Sequence, residues 1–375
     1  MARRETPPFR ADHVGSLLRP AALHEAREAF AAGEIDAAEL KSTEDQAIED
    51  AAIRDAVKLQ EDAGLQLATD GEFRREQWHS DFIYSIPGVE KGALIPAIHA
   101  YREGGEVLSW QPNITEITAK LRLSETIFGD HFRFLRDTVT TATPKITVPS
   151  PSMVHFRVDL TGSPYDDYAE FRSDVAAVYA AEVAGLHTLG CRYLQFDDTI
   201  FAFLNDTSWR TNMAATGVDA DHQHEINVGV INEALAAKPD DMAVTIHMCR
   251  GNYRSAWFSS GGYDFVAEAV FGGLKVDGLF LESDDERSGT FEPLRYVPDD
   301  QIVVLGLVTT KTPELESKDT LKRRVEEAAK YVDIDRLCLS GQCGFASTVE
   351  GNTLTIDEER AKLELIVATA EEIWG

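Results

Sequence analysis

The chain alternates between short apolar runs that end in polar residues and longer segments whose apolar residues recur at helical spacing. The short runs predict strands, at 13–16, 66–72, 146–150, 193–198, 243–249, 278–282, 302–308 and 337–340. The longer segments predict helices, at 43–63, 165–189, 222–237, 312–331 and 356–374. Strands that alternate with helices indicate a parallel sheet, and eight such units predict an α/β fold of the closed (β/α)₈ TIM-barrel type.

One stretch, from about residue 82 to 143, departs from this alternation. Its Gly104-Gly105 pair lies between runs of mixed polarity, which predicts a hairpin excursion inserted after the second strand. Barrels of this class often form one domain despite their length. We therefore expect residues 1–375 to form a single barrel domain.

Composition narrows the class of partner. The formal charge is −28, from 36 basic and 64 acidic residues, and such a surface repels nucleic acid and anionic membranes. The sequence has no run near the roughly 20 apolar residues of a membrane span, and its polar start lacks the apolar part of a signal peptide. We therefore expect a cytoplasmic protein with no nucleic-acid and no membrane partner.

Residues that can carry chemistry follow the ends of the predicted strands. In a (β/α)₈ barrel the carboxyl ends of the strands build the active site. The residues at or just past these ends are Ser16, Glu72, Ser150, Asp197, Asp198, His247, Cys249, Glu282 and Cys343. One barrel mouth would then hold two cysteines, one histidine and several carboxylates.

His247 and Cys249 are two residues apart at a strand end, so their side chains point the same way. An imidazole and a thiolate together favour Zn²⁺ over magnesium or calcium. Glu282 ends the next strand, and Cys343 follows the eighth within a glycine-containing segment. The other two cysteines, Cys191 and Cys338, are expected to be buried structural residues.

The segments His247 to Asn252, Phe280 to Glu282 and Gln342 to Phe345 resemble the zinc motifs of cobalamin-independent methionine synthases. The chain is most similar to the short, single-barrel members of that family. The resemblance also covers 12–16, 69–75, 195–198 and 322–331. It implies that His247, Cys249, Glu282 and Cys343 are the ligands of a Zn²⁺ cofactor.

The family likeness implies a zinc-dependent methyltransferase of methionine biosynthesis, which methylates homocysteine through a zinc-bound thiolate to give methionine. Two thiolates and one carboxylate leave the zinc with a charge of about −1, which suits thiol activation better than hydrolysis. Glu282, the weakest of these ligands, is expected to loosen when the substrate sulfur arrives. The family match further implies that Glu72 and Asp197 hold the substrate ammonium and that Ser16 lies at its carboxylate.

The methyl donor is left open between a folate, methylcobalamin, a corrinoid protein and another small methyl compound. Five aromatic residues are candidates to line its site: Trp78, Phe82, Tyr84, Phe156 and Phe201.

Two other functions remain open. One is an epoxyalkane:coenzyme M transferase-type zinc-thiolate alkyltransferase, whose sulfonate substrate would need cations such as Arg19, Arg74 or Arg75. The other is a non-catalytic zinc-binding barrel.

Overall fold

The computed structural model describes residues 4–36, 48–155, 158–215 and 217–375. The strands in this part of the chain are β1 (Leu67–Ala68), β2 (Val89–Leu94), β3 (Ile98–Tyr101), β4 (Val107–Trp110), β5 (Asn113–Ile117), β6 (Thr143–Pro149), β7 (Val158–Asp159), β8 (Tyr193–Asp198), β9 (Ala243–Met248), β10 (Gly278–Glu282), β11 (Ile302–Val308) and β12 (Leu337–Gly341). The helices are α1 (Ala21–Ala31), α2 (Ile48–Asp62), α3 (Ser80–Ile83), α4 (Gly129–Thr138), α5 (Pro151–His155), α6 (Tyr168–Thr188), α7 (Ile200–Asn205), α8 (Thr207–Ala215), α9 (Gln223–Ala234), α10 (Ala267–Gly273), α11 (Lys318–Ala328) and α12 (Ile356–Trp374). Short 3₁₀ segments lie at Glu286–Ser288, Glu292–Tyr296 and Ile334–Arg336.

Seven strands form one curled, wholly parallel sheet in the order β1-β6-β8-β9-β10-β11-β12. Every residue of β8, β10, β11 and β12 is buried. Parallel strands covered on both faces read as continuous apolar runs, and the Ile-Val-Val-Leu-Gly-Leu-Val sequence of β11 has this form. The parallel α/β sheet predicted from the alternation of strands and helices is therefore confirmed.

Capping residues set the starts of the main helices. The Asp167 side chain accepts a hydrogen bond from the Glu170 N–H and begins α6, so this helix starts a few residues later than predicted. Ser317 caps α11 in the same way, which places its start at Lys318 and not near Thr312. Thr355 and Glu358 form a reciprocal capping box at the start of α12. Of the predicted helix 43–63, residues 43–47 lie outside the described residues, and the rest matches α2.

The predicted first strand, 13–16, is wrong. Only Ala11 forms a parallel bridge, with Leu339 of β12. The carbonyl oxygens of residues 13, 14 and 15 accept hydrogen bonds of 2.6 Å from the side chains of Lys145, Gln195 and Thr69, respectively. Side chains thus satisfy the carbonyl groups that a neighbouring strand would have bonded.

Residues between β1 and β6 build smaller sheets beside the main one. β3 and β4 pair antiparallel, with Gly104 and Gly105 in the connection between them. β2 pairs antiparallel with β5, which pairs parallel with β7. The β3–β4 pair reaches the loop after β9 through a bridge from Tyr101 to Trp257, with N–H to O distances of 2.7 and 2.9 Å. The β3–β4 pair therefore lies against a loop at the carboxyl edge of the main sheet.

Three neighbouring strands, β8, β9 and β10, bring the predicted chemistry to one edge. In their register Asp197 is opposite His247, and Phe280 is also opposite His247. Glu282 is the last residue of β10. Among the described residues, no helix combines the length and the apolar character that crossing a bilayer requires.

Candidate functional site

Four side chains converge at the carboxyl edge of the sheet. His247, Cys249, Glu282 and Cys343 each offer one ligand atom, and these atoms all lie within 4.8 Å of one another. All four residues are buried, with exposed fractions of 1 to 7%. The structure thus brings together the residues that the sequence proposes as metal ligands.

His247 and Cys249 are positioned by the end of β9 and the turn that follows it. The Cys249 N–H donates to the Asp198 carbonyl (2.7 Å), which extends the pairing with β8 by one residue. The Gly251 N–H donates to the Cys249 sulfur (3.2 Å). Gly251 has φ +86°, and a Cβ there would lie 2.4 Å from the Phe258 ring. The turn that presents the sulfur therefore requires glycine.

Glu282 is held by the segment that follows Cys249. Its Oε1 accepts from the Arg250 N–H at 2.9 Å, and the Arg250 guanidinium donates to the Glu282 carbonyl at 2.9 Å. The same guanidinium lies 3.9 Å from Oε2. The Glu282 N–H donates to the Tyr263 hydroxyl (3.1 Å), which in turn donates to the Met248 carbonyl (3.0 Å). One carboxylate oxygen is thus fixed by hydrogen bonds, and the other faces a cation.

Cys343 lies just beyond β12 and faces Cys249, with the two sulfurs 3.2 Å apart. The hydrogen bond between these sulfurs lowers the pKa of the Cys343 thiol and raises that of Cys249. Gly344 allows the backbone to pass Ser16, because a Cβ on Gly344 would lie 1.9 Å from the Ser16 hydroxyl oxygen. This close approach joins the ligand loop to the N-terminal segment.

The donor set fits Zn²⁺. Both ring nitrogens of His247 are buried, and neither has a nitrogen or oxygen hydrogen-bond partner among the described residues, although the Cys343 thiol lies beside the ring. Buried polar atoms normally have partners, so these orphaned nitrogens are consistent with a metal-binding role. Two sulfurs, an imidazole and a carboxylate are typical Zn²⁺ ligands. Cys191 and Cys338 are buried and lie outside the cluster.

The three residues proposed for substrate binding line the same cleft as the cluster: Ser16, Glu72 and Asp197. Asp198, the other acid of the pair, turns away and accepts hydrogen bonds from Ser150, Ser152 and the Phe201 N–H. Burial raises the pKa of Asp197 to about 7, although the charge of His247 opposes this change. Asp197 also accepts a hydrogen bond from Gln195 (2.7 Å).

Glu72 occupies an unusual backbone position, with φ +61°. Its Oε1 accepts from the Thr147 hydroxyl (2.7 Å) and lies 3.5 Å from the Arg75 guanidinium. Burial raises the pKa of Glu72 despite the Arg75 charge. Ser16 is buried, and its hydroxyl accepts from the Ala346 N–H (3.3 Å). The side chain of Ser16 is therefore engaged with the protein.

An aromatic cleft adjoins the first one. The two clefts share Trp78, Thr199, Gly251 and Asn252. The aromatic residues that line the second cleft are Trp78, His79, Trp110, Phe203, Tyr253 and Phe258. Of the aromatic residues suggested by the sequence, Trp78 lies here, Phe82 and Phe201 are core residues, and Tyr84 packs against the core. Phe156 lies outside the described residues.

Sequence reasoning missed several residues that hold the site. Arg250 and Asn252 stand inside the motif that contains His247, but no role was assigned to either. Asn252 donates to the Gly344 carbonyl (2.9 Å) and so ties the two ligand loops together. The Tyr263 hydroxyl and the Thr147 hydroxyl have no local signal in the sequence, because each acts across the fold on a distant strand.

Comparison with known proteins gives consistent results. The family model for the catalytic domain of cobalamin-independent synthases matches residues 140–372. The uncharacterized protein YxjH of Bacillus subtilis (strain 168) is 44% identical over 374 residues, covering 99% of this chain and 96% of its own length. The methionine synthase of Thermococcus kodakarensis is 20% identical over 289 residues, covering 76% of this chain and 73% of its own. A crystal structure of a putative vitamin-B12 independent methionine synthase from Listeria monocytogenes has a TM-score of 0.78 and 37% identity, covering 99% of this chain and 100% of that one.

Proposed function

The chain belongs to the family of the cobalamin-independent synthase catalytic domain, and from this premise we propose that it is a zinc-dependent thiol methyltransferase that converts homocysteine to methionine. One observation carries the proposal. Four buried donor atoms within 4.8 Å of one another adjoin a cleft that also contains the carboxylates of Glu72 and Asp197. A metal that activates a thiol, next to carboxylates that can bind an ammonium group, fits a substrate that carries both groups, which is an amino-acid thiol.

His247, Cys249, Glu282 and Cys343 would hold the Zn²⁺. A Zn²⁺ in this set supplies the lowered thiol pKa that makes an incoming sulfur nucleophilic at neutral pH. Glu282 is the ligand suited to give way, because the Arg250 N–H and guanidinium already stabilise its carboxylate.

Glu72 and Asp197 would bind the substrate ammonium. Burial raises the pKa of both groups, so the empty cleft disfavours two negative charges. An ammonium placed between them restores the ionised forms and orients the substrate. The Ser16 segment would receive the substrate carboxylate largely through its backbone, and the Ser16 hydroxyl, which accepts from the Ala346 N–H, keeps its own proton to donate.

The aromatic cleft would receive the methyl donor. Its lining contains aromatic and neutral polar side chains and no lysine, arginine, aspartate or glutamate. Such a surface binds the flat, uncharged part of a donor by stacking and apolar contact. A folate, methylcobalamin and a corrinoid protein each remain possible donors for the test below.

The described structure disfavours the coenzyme M alternative. A sulfonate needs an available cation, but Arg19 donates to the carbonyls of Ala346, Thr348, Glu72 and Arg75. Arg74 pairs with Glu49 and Asp50, and Arg75 pairs with Glu72. None of the three arginines lines either cleft. A non-catalytic zinc barrel would not need the adjoining carboxylates.

We further propose that the parallel sheet closes into a (β/α)₈ barrel within a single domain, 1–375, and that 82–143 is an excursion from it. The bridge between Ala11 and Leu339 supports closure on one side. The Leu17 N–H donates to the Gly71 carbonyl (3.1 Å), which links the same segment to the end of the β1 region. The N-terminal segment would thus occupy the place of the first strand.

Metal analysis followed by incubation with homocysteine and each candidate donor, read by mass spectrometry, tests the function. We expect about one zinc per chain and methionine from one donor. Cys249→Ser and Cys343→Ser should lose zinc and remain folded, whereas Cys338→Ser, a buried cysteine outside the cluster, should keep it. Full zinc occupancy in either ligand variant would overturn the assignment, and coenzyme M alkylation without methionine would favour the alternative.

A further inference from the structure

Lys311 differs from the other buried lysines of the described structure. Lys145 forms an ion pair with Asp12 (2.9 Å) and Lys362 forms one with Glu316 (3.2 Å). Lys311 is only 7% exposed, and its Nζ has no hydrogen-bond partner among the described residues. A buried ammonium without a partner is costly unless nearby negative charge stabilises it.

The position of Lys311 in the fold shows which negatively charged groups are near its ammonium. It follows β11, which lies between β10, ending in Glu282, and β12, which leads to Cys343. Its ammonium lies within electrostatic reach of the sulfurs of Cys249 and Cys343 and of the carboxyl group of Asp284. The ammonium is therefore close to the candidate metal centre, and it does not line either substrate cleft.

The backbone before Lys311 is fixed. The Thr310 hydroxyl donates to Gln342 Oε1 (2.7 Å), and Asn352 donates to the Thr310 carbonyl (2.7 Å). The Thr309 N–H donates to Glu316 (2.8 Å). Because Gln342 precedes Cys343, the loop that carries Lys311 is held in register with a metal ligand.

We propose that Lys311 is a positioning residue whose fixed positive charge neutralises the anionic zinc–thiolate centre. This inference rests on the proposed zinc site. Zn²⁺ with two thiolates and one carboxylate carries about one negative charge. The Arg250 guanidinium lies on the carboxylate side, 3.9 Å from Glu282 Oε2, and the Lys311 ammonium would offset the negative charge on the thiolate side.

Zinc affinity, measured by competition with a chromogenic chelator, tests the proposal. Lys311→Met keeps the apolar stem and removes the charge, so zinc affinity should fall about 10- to 100-fold, the effect usual for a group just outside the ligands. Lys311→Arg keeps the charge and should stay within about threefold of wild type. Lys330→Met removes the same charge from an exposed position and should change nothing.

A second measurement, the melting temperature, distinguishes loss of the Lys311 charge from damage to the fold. Metal-free Lys311→Met and metal-free Lys311→Arg should both melt cooperatively, because each keeps the hydrogen bonds that fix the loop at Thr309 and Thr310. Unchanged zinc affinity in Lys311→Met, or an equal loss in Lys311→Arg, would overturn the proposal and leave the zinc site standing. A wild-type protein that binds no zinc would overturn both.

Discussion

Glu72 shows how single residues separate substrate binding from metal binding. Its strained backbone, at φ +61°, directs the carboxylate into the cleft, where Thr147 and Arg75 hold it. Glu72 is outside the metal cluster. A change at Glu72 should therefore alter thiol recognition and leave the metal in place.

Glu72→Gln keeps the shape and removes the charge. The loss of one charge-assisted contact costs about 1.5–3 kcal/mol, which corresponds to a roughly ten- to hundredfold weaker affinity for homocysteine. Calorimetric titration of the zinc-loaded protein measures this affinity, with Glu76→Gln as the control because Glu76 is exposed on the same loop. Binding of a thiol without an ammonium should be unchanged or tighter. Wild-type affinity for homocysteine in Glu72→Gln would remove the basis for an amino-acid substrate.

The sequence identified functional residues only where they lie close together in the chain or belong to the family motifs. His247 and Cys249 share one strand end, and Glu282 and Cys343 end later units, so their meeting could be expected. Lys311 could not be singled out, because its buried and unpartnered state depends on how three strand ends meet. The same holds for Thr147, whose hydroxyl reaches Glu72 from another strand.

At the scale of elements, the turn after β9 couples the metal ligand Cys249 to the aromatic cleft. Gly251 donates to the Cys249 sulfur, and the space above its α-carbon is filled by Phe258, which lines the cleft. Gly217 has a similar backbone conformation, with φ +87°, but no described residue lies within 4 Å of its added Cβ. Alanine substitutions at the two glycines therefore distinguish the cost of the left-handed backbone from the cost of displacing the Phe258 side chain.

Both Gly251→Ala and Gly217→Ala should lower the free energy of unfolding by about 1–2 kcal/mol through the left-handed backbone. Gly251→Ala should lose more, because its Cβ would lie 2.4 Å from the Phe258 ring, and methyl transfer should fall in this variant alone. Urea denaturation and product analysis measure the two effects. Equal losses of stability, with methyl transfer intact in both, would mean that Phe258 does not shape the donor cleft.

The sequence predicted the parallel sheet because buried parallel strands have a clear apolar pattern. It failed at 13–16, where polar and apolar residues resemble a strand end but the carbonyls bond the side chains of Lys145, Gln195 and Thr69. The spacing of apolar residues along the chain does not reveal such hydrogen bonds, because their donors are distant in the sequence. Helix starts differed for another reason: the helical spacing of apolar residues was extended past local capping residues, so the observed caps at Asp167 and Ser317 lie inside the segments predicted as helical.

At the scale of the whole molecule, an acidic surface coexists with carboxyl groups in the interior. The Glu359 side chain is 1% exposed and accepts one hydrogen bond, from the Leu18 N–H (2.7 Å). Burial raises its pKa from 4.5 to about 8. The folded protein thus binds this proton more tightly than the unfolded chain does. The resulting stability is fully present below about pH 4.5 and is lost as the pH rises through about 8.

Glu359→Gln keeps an acceptor for Leu18 and removes the titrating group. Its free energy of unfolding should fall less than that of wild type between pH 5 and pH 8, with a difference of up to a few kcal/mol. Denaturation at several pH values measures this slope. Glu364→Gln, at an exposed position of the same helix, should follow the wild-type profile. A Glu359→Gln profile parallel to wild type would show that Glu359 does not titrate in this way.

A zinc ion bound by His247, Cys249, Glu282 and Cys343 should receive the substrate sulfur as a new ligand. Zinc X-ray absorption of the purified protein, recorded before and after homocysteine is added, measures this exchange. We expect two sulfur ligands before addition, from Cys249 and Cys343, and three afterwards, with one oxygen or nitrogen ligand lost as Glu282 leaves. A zinc without sulfur ligands, or a spectrum that homocysteine does not change, would show that the substrate sulfur does not bind zinc in this way.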